Sequence, residues 1–293
     1  MRRRVVVLGD VMLDVVVRPT ASIAPTSDTP AAIRVSRGGS GANLAVALRS
    51  SDHDVLYVGA GGGDAACELF VEALRRAGVQ SRLELFDDVP TGTVVALIDA
   101  KGERSMLSDR GANSRLHEAF VAQQLAEPFD HLHVSGYVLL DAATRGVAVS
   151  ALALAHGRGS STSIDVCSVA PLRAVTPEVF LASASGATMI FANEEEALTL
   201  SSENDVEGAL DFLGTLFDEV VITVGARGAY VARGLERLHS GASTRGVVDT
   251  TGAGDAATGT YLGARLSGDE PYEALLDAML AAAQVVGGLG ALG

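Results

Sequence analysis

Short apolar runs alternate with helical patterns along almost the whole chain. Val5–Leu8, Val55–Ala60, His131–Ser135, Ser163–Val166, Thr188–Phe191, Val220–Val224 and Tyr230–Val231 read as strands. Several are apolar without a break, as strands covered on both faces are. Ala42–Arg49, Asp64–Ala77, Glu194–Leu200, the stretch from Ala256 onward and Tyr272 to about Val286 read as helices, with Gly78 stopping the second. This order implies a three-layer α/β/α core, a mostly parallel sheet with helices on both faces. Three segments do not fit it: about 11–18, about 31–37 and about 91–109. The last reads as a hairpin, Thr91–Asp99 and Glu103–Ser108 around Ala100-Lys101-Gly102. Together the three would form a small separate β-sheet. No repeat or linker divides the chain, so residues 1–293 are read as one domain.

Charge and composition narrow the function. The net charge is −14, and no basic block follows Arg2-Arg3-Arg4. That argues against nucleic acid or an anionic membrane as partner. Only Cys67 and Cys167 are present, far apart and without metal spacing, and both read as small core hydrophobes. Val5–Leu8 is too short for a signal peptide, and no apolar stretch reaches a membrane-spanning length of about 18 residues. A cytoplasmic protein is therefore expected. His131 and His133 alternate in a strand without further ligands, which points to a structural role rather than a metal site.

The chemistry is concentrated in Asp249-Thr250-Thr251-Gly252-Ala253-Gly254-Asp255. A Gly-Ala-Gly turn lets backbone N–H groups converge, and a helix starting there adds its unsatisfied donors and dipole. Such a concavity holds an anion, most often phosphate. A carboxylate beside it repels phosphate but can take a proton from a hydroxyl that attacks phosphate. The plainer reading is a glycine turn whose Asp caps the helix. Two carboxylates six residues apart around Thr-Gly-Ala-Gly favour phosphoryl transfer over that.

This segment resembles the D-T-x-G-A-G-D signature of the ribokinase-like (PfkB) family of sugar and nucleoside kinases. The resemblance implies that Asp255 is the catalytic base and that the backbone of Gly252, Ala253 and Gly254 forms the anion hole. A second segment, Gly38-Gly39-Ser40-Gly41-Ala42-Asn43, is similar to the family's N-terminal G-G-K-G-A-N. By itself it is a loop open to close ligand approach, with Asn43 able both to donate and to accept. Ser40 stands where ribokinases often carry Lys, so a cation-dependent role at that position is lost. Asp14, between apolar residues, needs a polar reason to be there, and the family places a sugar-binding Asp at this point. Gly111-Ala112-Asn113 also matches a family segment and would put Asn113 at the substrate pocket.

The nucleotide end follows from the same resemblance. Glu194 and Glu195 are explained as partners of a helix dipole. The family's N-x-x-E falls on Asn193, at the nucleotide phosphates, and Glu196, acting on Mg²⁺ through water. Thr223-Val224-Gly225-Ala226-Arg227-Gly228 looks like the T-x-G-x-x-G nucleotide loop, giving Thr223, Gly225 and Gly228 to ATP. A K⁺ site would use Asp249, Thr251 and the Gly287–Gly290 neighbourhood. The resemblance spans essentially the full chain. It implies an ATP-dependent kinase acting on a primary alcohol of a sugar, under a β-sheet lid that can also pair two copies into a homodimer. A nucleoside acceptor is the alternative within the class. A non-catalytic sugar- or nucleotide-binding regulator is the rival from another class, and it has no need of Asp255. A Rossmann oxidoreductase lacks its G-x-G-x-x-G after the first strand.

Overall fold

The computed structural model describes residues 2–99, 104–242 and 252–286. Its strands are β1 (Arg4–Leu8), β2 (Met12–Pro19), β3 (Ala31–Gly38), β4 (Asp54–Gly62), β5 (Gln80–Phe86), β6 (Gly92–Ile98), β7 (Arg104–Asp109), β8 (His131–Ser135), β9 (Ser161–Asp165), β10 (Met189–Asn193), β11 (Glu219–Thr223), β12 (Ala229–Arg233) and β13 (Glu236–Ser240). Nine form one sheet in the order β13-β12-β11-β10-β9-β8-β1-β4-β5. Neighbours from β11 to β5 run parallel, while β11, β12 and β13 pair antiparallel.

β1 shows why this sheet needs two helical layers. Val5 and Val7 point into one core, Val6 and Leu8 into another, and all four are buried. Side chains alternate across a strand, so an unbroken apolar run must be covered on both faces. Full burial of such a side chain contributes on the order of 1.5–3 kcal/mol. One face is covered by helices Ser40–Ser50, Ala65–Arg76, Ala253–Ser267 and Pro271–Val286. The other carries Arg145–Gly157, Glu194–Ser201 and Val206–Gly214 among its helices.

The three misfit segments assemble into the separate sheet, in the order β3-β2-β6-β7. β2 pairs antiparallel with β3 and parallel with β6, and β6 pairs antiparallel with β7. The Ala100–Gly102 turn lies outside the described residues. β3 runs on to Gly38, and the next helix starts at Ser40, earlier than Ala42. Gly39 makes that sharp entry at φ 96°, where a Cβ would lie 2.6 Å from the Asp10 carbonyl oxygen.

His131 and His133 are structural, as expected. The two ring nitrogens of His131 lie 2.8 Å from the hydroxyls of Ser161 and Ser163, and His133 Nδ1 lies 2.9 Å from Ser163. Burial pushes both imidazoles down to about 3, so they are neutral in the core. Cys67 is buried. Cys167 corrects the core reading. It is half-buried at φ 72° on the wall of a cavity of about 810 Å³, because the chain turns sharply out of β9 just before it.

Candidate active site

The helix Ala253–Ser267 opens at Gly252, whose φ of 75° is left-handed and suits glycine. Its first backbone bond runs from Ala256 N–H to the Gly252 carbonyl. The N–H groups ahead of Ala256 are the orphan donors of a helix start. Asp255 sits in this first turn. Its Oδ1 accepts from the Ser40 hydroxyl at 2.6 Å, and its Oδ2 accepts from Asn43 Nδ2 at 2.8 Å. Ser40 and Asn43 are three apart on helix Ser40–Ser50 and so share a face. That helix packs on Ala253–Ser267 at Gly259, where a Cβ would lie 2.6 Å from the Leu44 carbonyl oxygen. Burial pushes the Asp255 carboxyl above its ordinary value, while Ser40, Asn43 and the charge of Arg37 hold it down.

Asp14 comes from the lid strand β2, where it pairs with Ser36. Gly38 is what makes room for it: a Cβ there would lie 1.9 Å from Asp14 Oδ1. Burial first, then the nearby charge of Asp255, raises the Asp14 carboxyl to about 6. A carboxyl raised in the folded state favours folding at low pH, and that contribution is lost as pH rises through about 6. Ionised Asp14 therefore costs stability at neutral pH. Asp14→Asn is expected to raise the melting temperature at pH 7–8, with the gain shrinking as pH falls below 6 toward 4. Parallel melts across this pH range check this, and a gain that grows toward low pH would contradict it.

Asn193 and Glu196 form a reciprocal cap at the start of helix Glu194–Ser201. Asn193 Oδ1 accepts from Glu196 N–H at 2.9 Å, and Glu196 Oε2 accepts from Asn193 N–H at 2.8 Å. Burial raises the Glu196 carboxyl to about 7. Asp165, at the end of β9, is pushed well up by burial and by the charges of Glu196 and Asp255. These carboxylates repel one another, and a cation would relieve them. Among the described residues no group of three or more His, Cys, Asp or Glu could grip a metal directly.

One cavity of about 810 Å³ joins these groups. Asp14, Gly39, Ser40, Asn43 and Asp255 line it, as do Asn193, Glu196, Thr223, Gly252 and Gly254. The site lies at the C-terminal ends of β9, β10 and β11, where open α/β sheets bind ligands.

Other expected residues stand back from the wall. Gly38 lies behind Asp14, and Ala253 is in the Gly252–Gly254 turn without lining the cavity. Gly225 and Gly228 shape the turn after Thr223, at φ 57° and 98°. A Cβ on Gly228 would lie 1.9 Å from the Ser240 carbonyl oxygen. Asn113, expected at the substrate, is instead a buried clamp. It accepts from Val11 N–H at 2.7 Å and donates to the Val11 and Arg110 carbonyls at 2.9 Å each, which leaves its amide spent on backbone. Asp249, Thr251 and Gly287–Gly290 lie outside the described residues.

Sequence reasoning missed several wall residues. Arg110 follows the lid hairpin, donates to Asp10 Oδ1 at 2.6 Å and to the Tyr137 carbonyl at 2.9 Å, and forms an ion pair with Asp141 Oδ2 at 2.8 Å. Nothing in a chain read linearly pairs residues 100 positions apart. Asp165 did carry a signal, an acid at the C-terminal end of a buried parallel strand.

A carboxylate in the first turn of a helix, on the wall of a cavity that Asp14 of the small sheet also lines, is the constellation of a phosphotransferase. The family model "pfkB family carbohydrate kinase" matches residues 2–292, and the chain belongs to that family. Its fold is ribokinase-like. Adenosine kinase from Sinorhizobium meliloti superposes with a TM-score of 0.87 at 27% identity, covering 100% of this chain and 96% of that one. An Escherichia coli protein solved with ATP and Mg²⁺ under the name Ribokinase II gives a TM-score of 0.87 at 21% identity. It covers 98% of this chain and 94% of its own, and at that identity the likeness carries the fold alone. In sequence, the ATP-dependent ribose-1-phosphate kinase of Halopiger xanaduensis is 28% identical over 93% of this chain and 88% of its own.

Proposed function

We propose that this protein transfers the γ-phosphoryl group of ATP to a primary hydroxyl of a sugar. The observation that carries this is Asp255: one carboxylate at a helix N-terminus, hydrogen-bonded by Ser40 and Asn43, on a cavity wall shared with Asp14. Asp255 takes the proton of the acceptor hydroxyl as it attacks. The backbone N–H groups of Gly252, Ala253 and Gly254 face the charge that develops on the transferred group. Asp14 and Asn43 hold acceptor hydroxyls, and Gly38 and Asn113 support that pocket from behind. Asn193, Thr223, Gly225 and Gly228 border the nucleotide. Mg²⁺, when bound, neutralises phosphate charge. Glu196 would hold it through water, in keeping with an ion that retains several waters and few protein ligands.

The test is a screen of pentoses, hexoses and nucleosides for ADP release. At least one sugar is expected to give release that depends on Asp255. A panel without any acceptor, or phosphorylation that survives Asp255→Asn, would count against the reading. A nucleoside acceptor is the second reading, favoured by the likeness to the adenosine kinase.

Three further points belong to this proposal. A K⁺ ion at Asp249 and Thr251 would order the Gly252–Gly254 turn from behind, and equal rates in potassium, sodium and a bulky organic cation would remove it. A homodimer through the lid is supported by exposed Ile33, Val35 and Leu107 on that sheet. A cytoplasmic location agrees with the described residues, none of whose helices is long and apolar enough to cross a membrane.

A further inference from the structure

Arg37 stands on the lid strand β3, one residue before Gly38 and in register with Leu13 of β2. It does not line the cavity. Its Nη1 donates to Asn43 Oδ1 at 2.7 Å, and Asn43 Nδ2 donates in turn to Asp255 Oδ2 at 2.8 Å. A guanidinium carries only donors and an ionised carboxylate only acceptors. The Asn43 amide between them therefore has one orientation that satisfies both. Turned over, it would set its NH₂ against the guanidinium and its carbonyl oxygen against the carboxylate. Two hydrogen bonds thus connect a lid strand to the helix-start carboxylate.

We propose that Arg37 is a positioning residue: through Asn43 it fixes the hydrogen bonding of Asp255 and ties the lid strand β3 to the catalytic base. The inference rests on the reading of Asp255 as that base. Among the described residues the surroundings of Asp255 are otherwise acidic or neutral. Ser40 and Asn43 bond Asp255 from helix Ser40–Ser50, while Asp14 on β2, Tyr57 on β4, Tyr137 after β8, Asp165 at the end of β9, Cys167 just beyond it and Glu196 on helix Glu194–Ser201 interact with its charge through space. In that setting the Arg37 charge favours the ionised form of Asp255, the form that accepts a proton.

The test titrates the Asp255 carboxyl carbon by ¹³C NMR in the unliganded enzyme, its signal assigned by loss in Asp255→Asn. In Arg37→Met the midpoint is expected to rise by roughly one pH unit, as for loss of a nearby opposite charge. With the acceptor found in the screen, turnover at neutral pH is expected to fall about 10-fold. The acid limb of the rate profile should move up with the midpoint, and KM for ATP should stay unchanged. Arg37→Lys keeps a donor and the charge and is expected to return the midpoint toward wild type. Should Arg37→Met not fold, Arg37→Gln, which keeps a donor and drops the charge, is read the same way. A midpoint unmoved in the neutral variant, or moved equally in Arg37→Lys, overturns the inference. A moved midpoint in an enzyme whose activity survives Asp255→Asn overturns the base reading instead.

Discussion

Asp255→Asn is expected to lower turnover by about 100-fold or more while leaving ATP binding near the wild-type level. A positioned general base contributes roughly 10²–10⁴ in rate, and the amide that replaces it has no comparable affinity for a proton. The change is nearly isosteric, so the helix start at Gly252 and its N–H groups should persist. One detail of the site shifts. The carboxylate accepts from Ser40 on one oxygen and from Asn43 on the other. An amide has a single acceptor oxygen, so if that oxygen keeps the Asn43 bond, the Ser40 hydroxyl must change from donor to acceptor of the new NH₂ group. Turnover and nucleotide affinity measured side by side separate the two effects. Turnover within a factor of a few of wild type would remove Asp255 from the chemistry.

Gly259→Leu should damage both stability and catalysis from outside the cavity. Helices Ser40–Ser50 and Ala253–Ser267 approach there backbone to backbone, with the Ala47 methyl beside the contact. A Cβ on Gly259 would lie 2.6 Å from the Leu44 carbonyl oxygen and 2.7 Å from the Ala47 Cβ. Leucine must push the helices apart, and overpacking of this kind costs about 1–3 kcal/mol. The gain from replacing glycine within a helix, about 1 kcal/mol, offsets only part of that. The catalytic effect follows because one helix carries Ser40 and Asn43 and the other carries Asp255. Separating them stretches the 2.6 Å and 2.8 Å hydrogen bonds that orient the carboxylate. Gly146, where a Cβ meets nothing within 4 Å, is the control. Denaturant unfolding and turnover of both variants check the prediction. Wild-type turnover in Gly259→Leu would show that the helix contact does not set the site.

What the chain revealed before folding depended on how many neighbours decide each feature. β1 was legible because burial on both faces demands an unbroken apolar run, and a mostly parallel sheet followed from strand–helix alternation, though its strand order did not. β5 was not legible. It is an edge strand, Gln80–Phe86, that opens on three polar residues and is nowhere fully buried, so it carries no unbroken apolar run. β13, at the opposite edge, is exposed over most of its length and was missed for the same reason. The lid was visible as segments that broke the alternation. In the site, the Gly252–Asp255 turn announced itself through local chemistry. Ser40, read as a lost cation, is bonded to Asp255, a partner 215 residues away that no local pattern encodes. Asn113 illustrates the limit of carrying a motif over. The residue type matched, but its amide is used up by Val11 and Arg110. Arg37 and the Arg110 ion pairs were invisible for the complementary reason, since each is defined by groups that only the fold brings near.

The most direct measurement of the central claim is a crystal structure of the wild-type enzyme with a non-hydrolysable ATP analogue and the acceptor found by the screen. The acceptor hydroxyl oxygen is expected within about 2.6–3.2 Å of an Asp255 carboxylate oxygen, the reach of a general base. The terminal phosphoryl group should lie against the backbone of Gly252–Gly254. An acceptor whose reactive hydroxyl lies away from Asp255, with that carboxylate still engaged only by Ser40 and Asn43, would contradict the assignment.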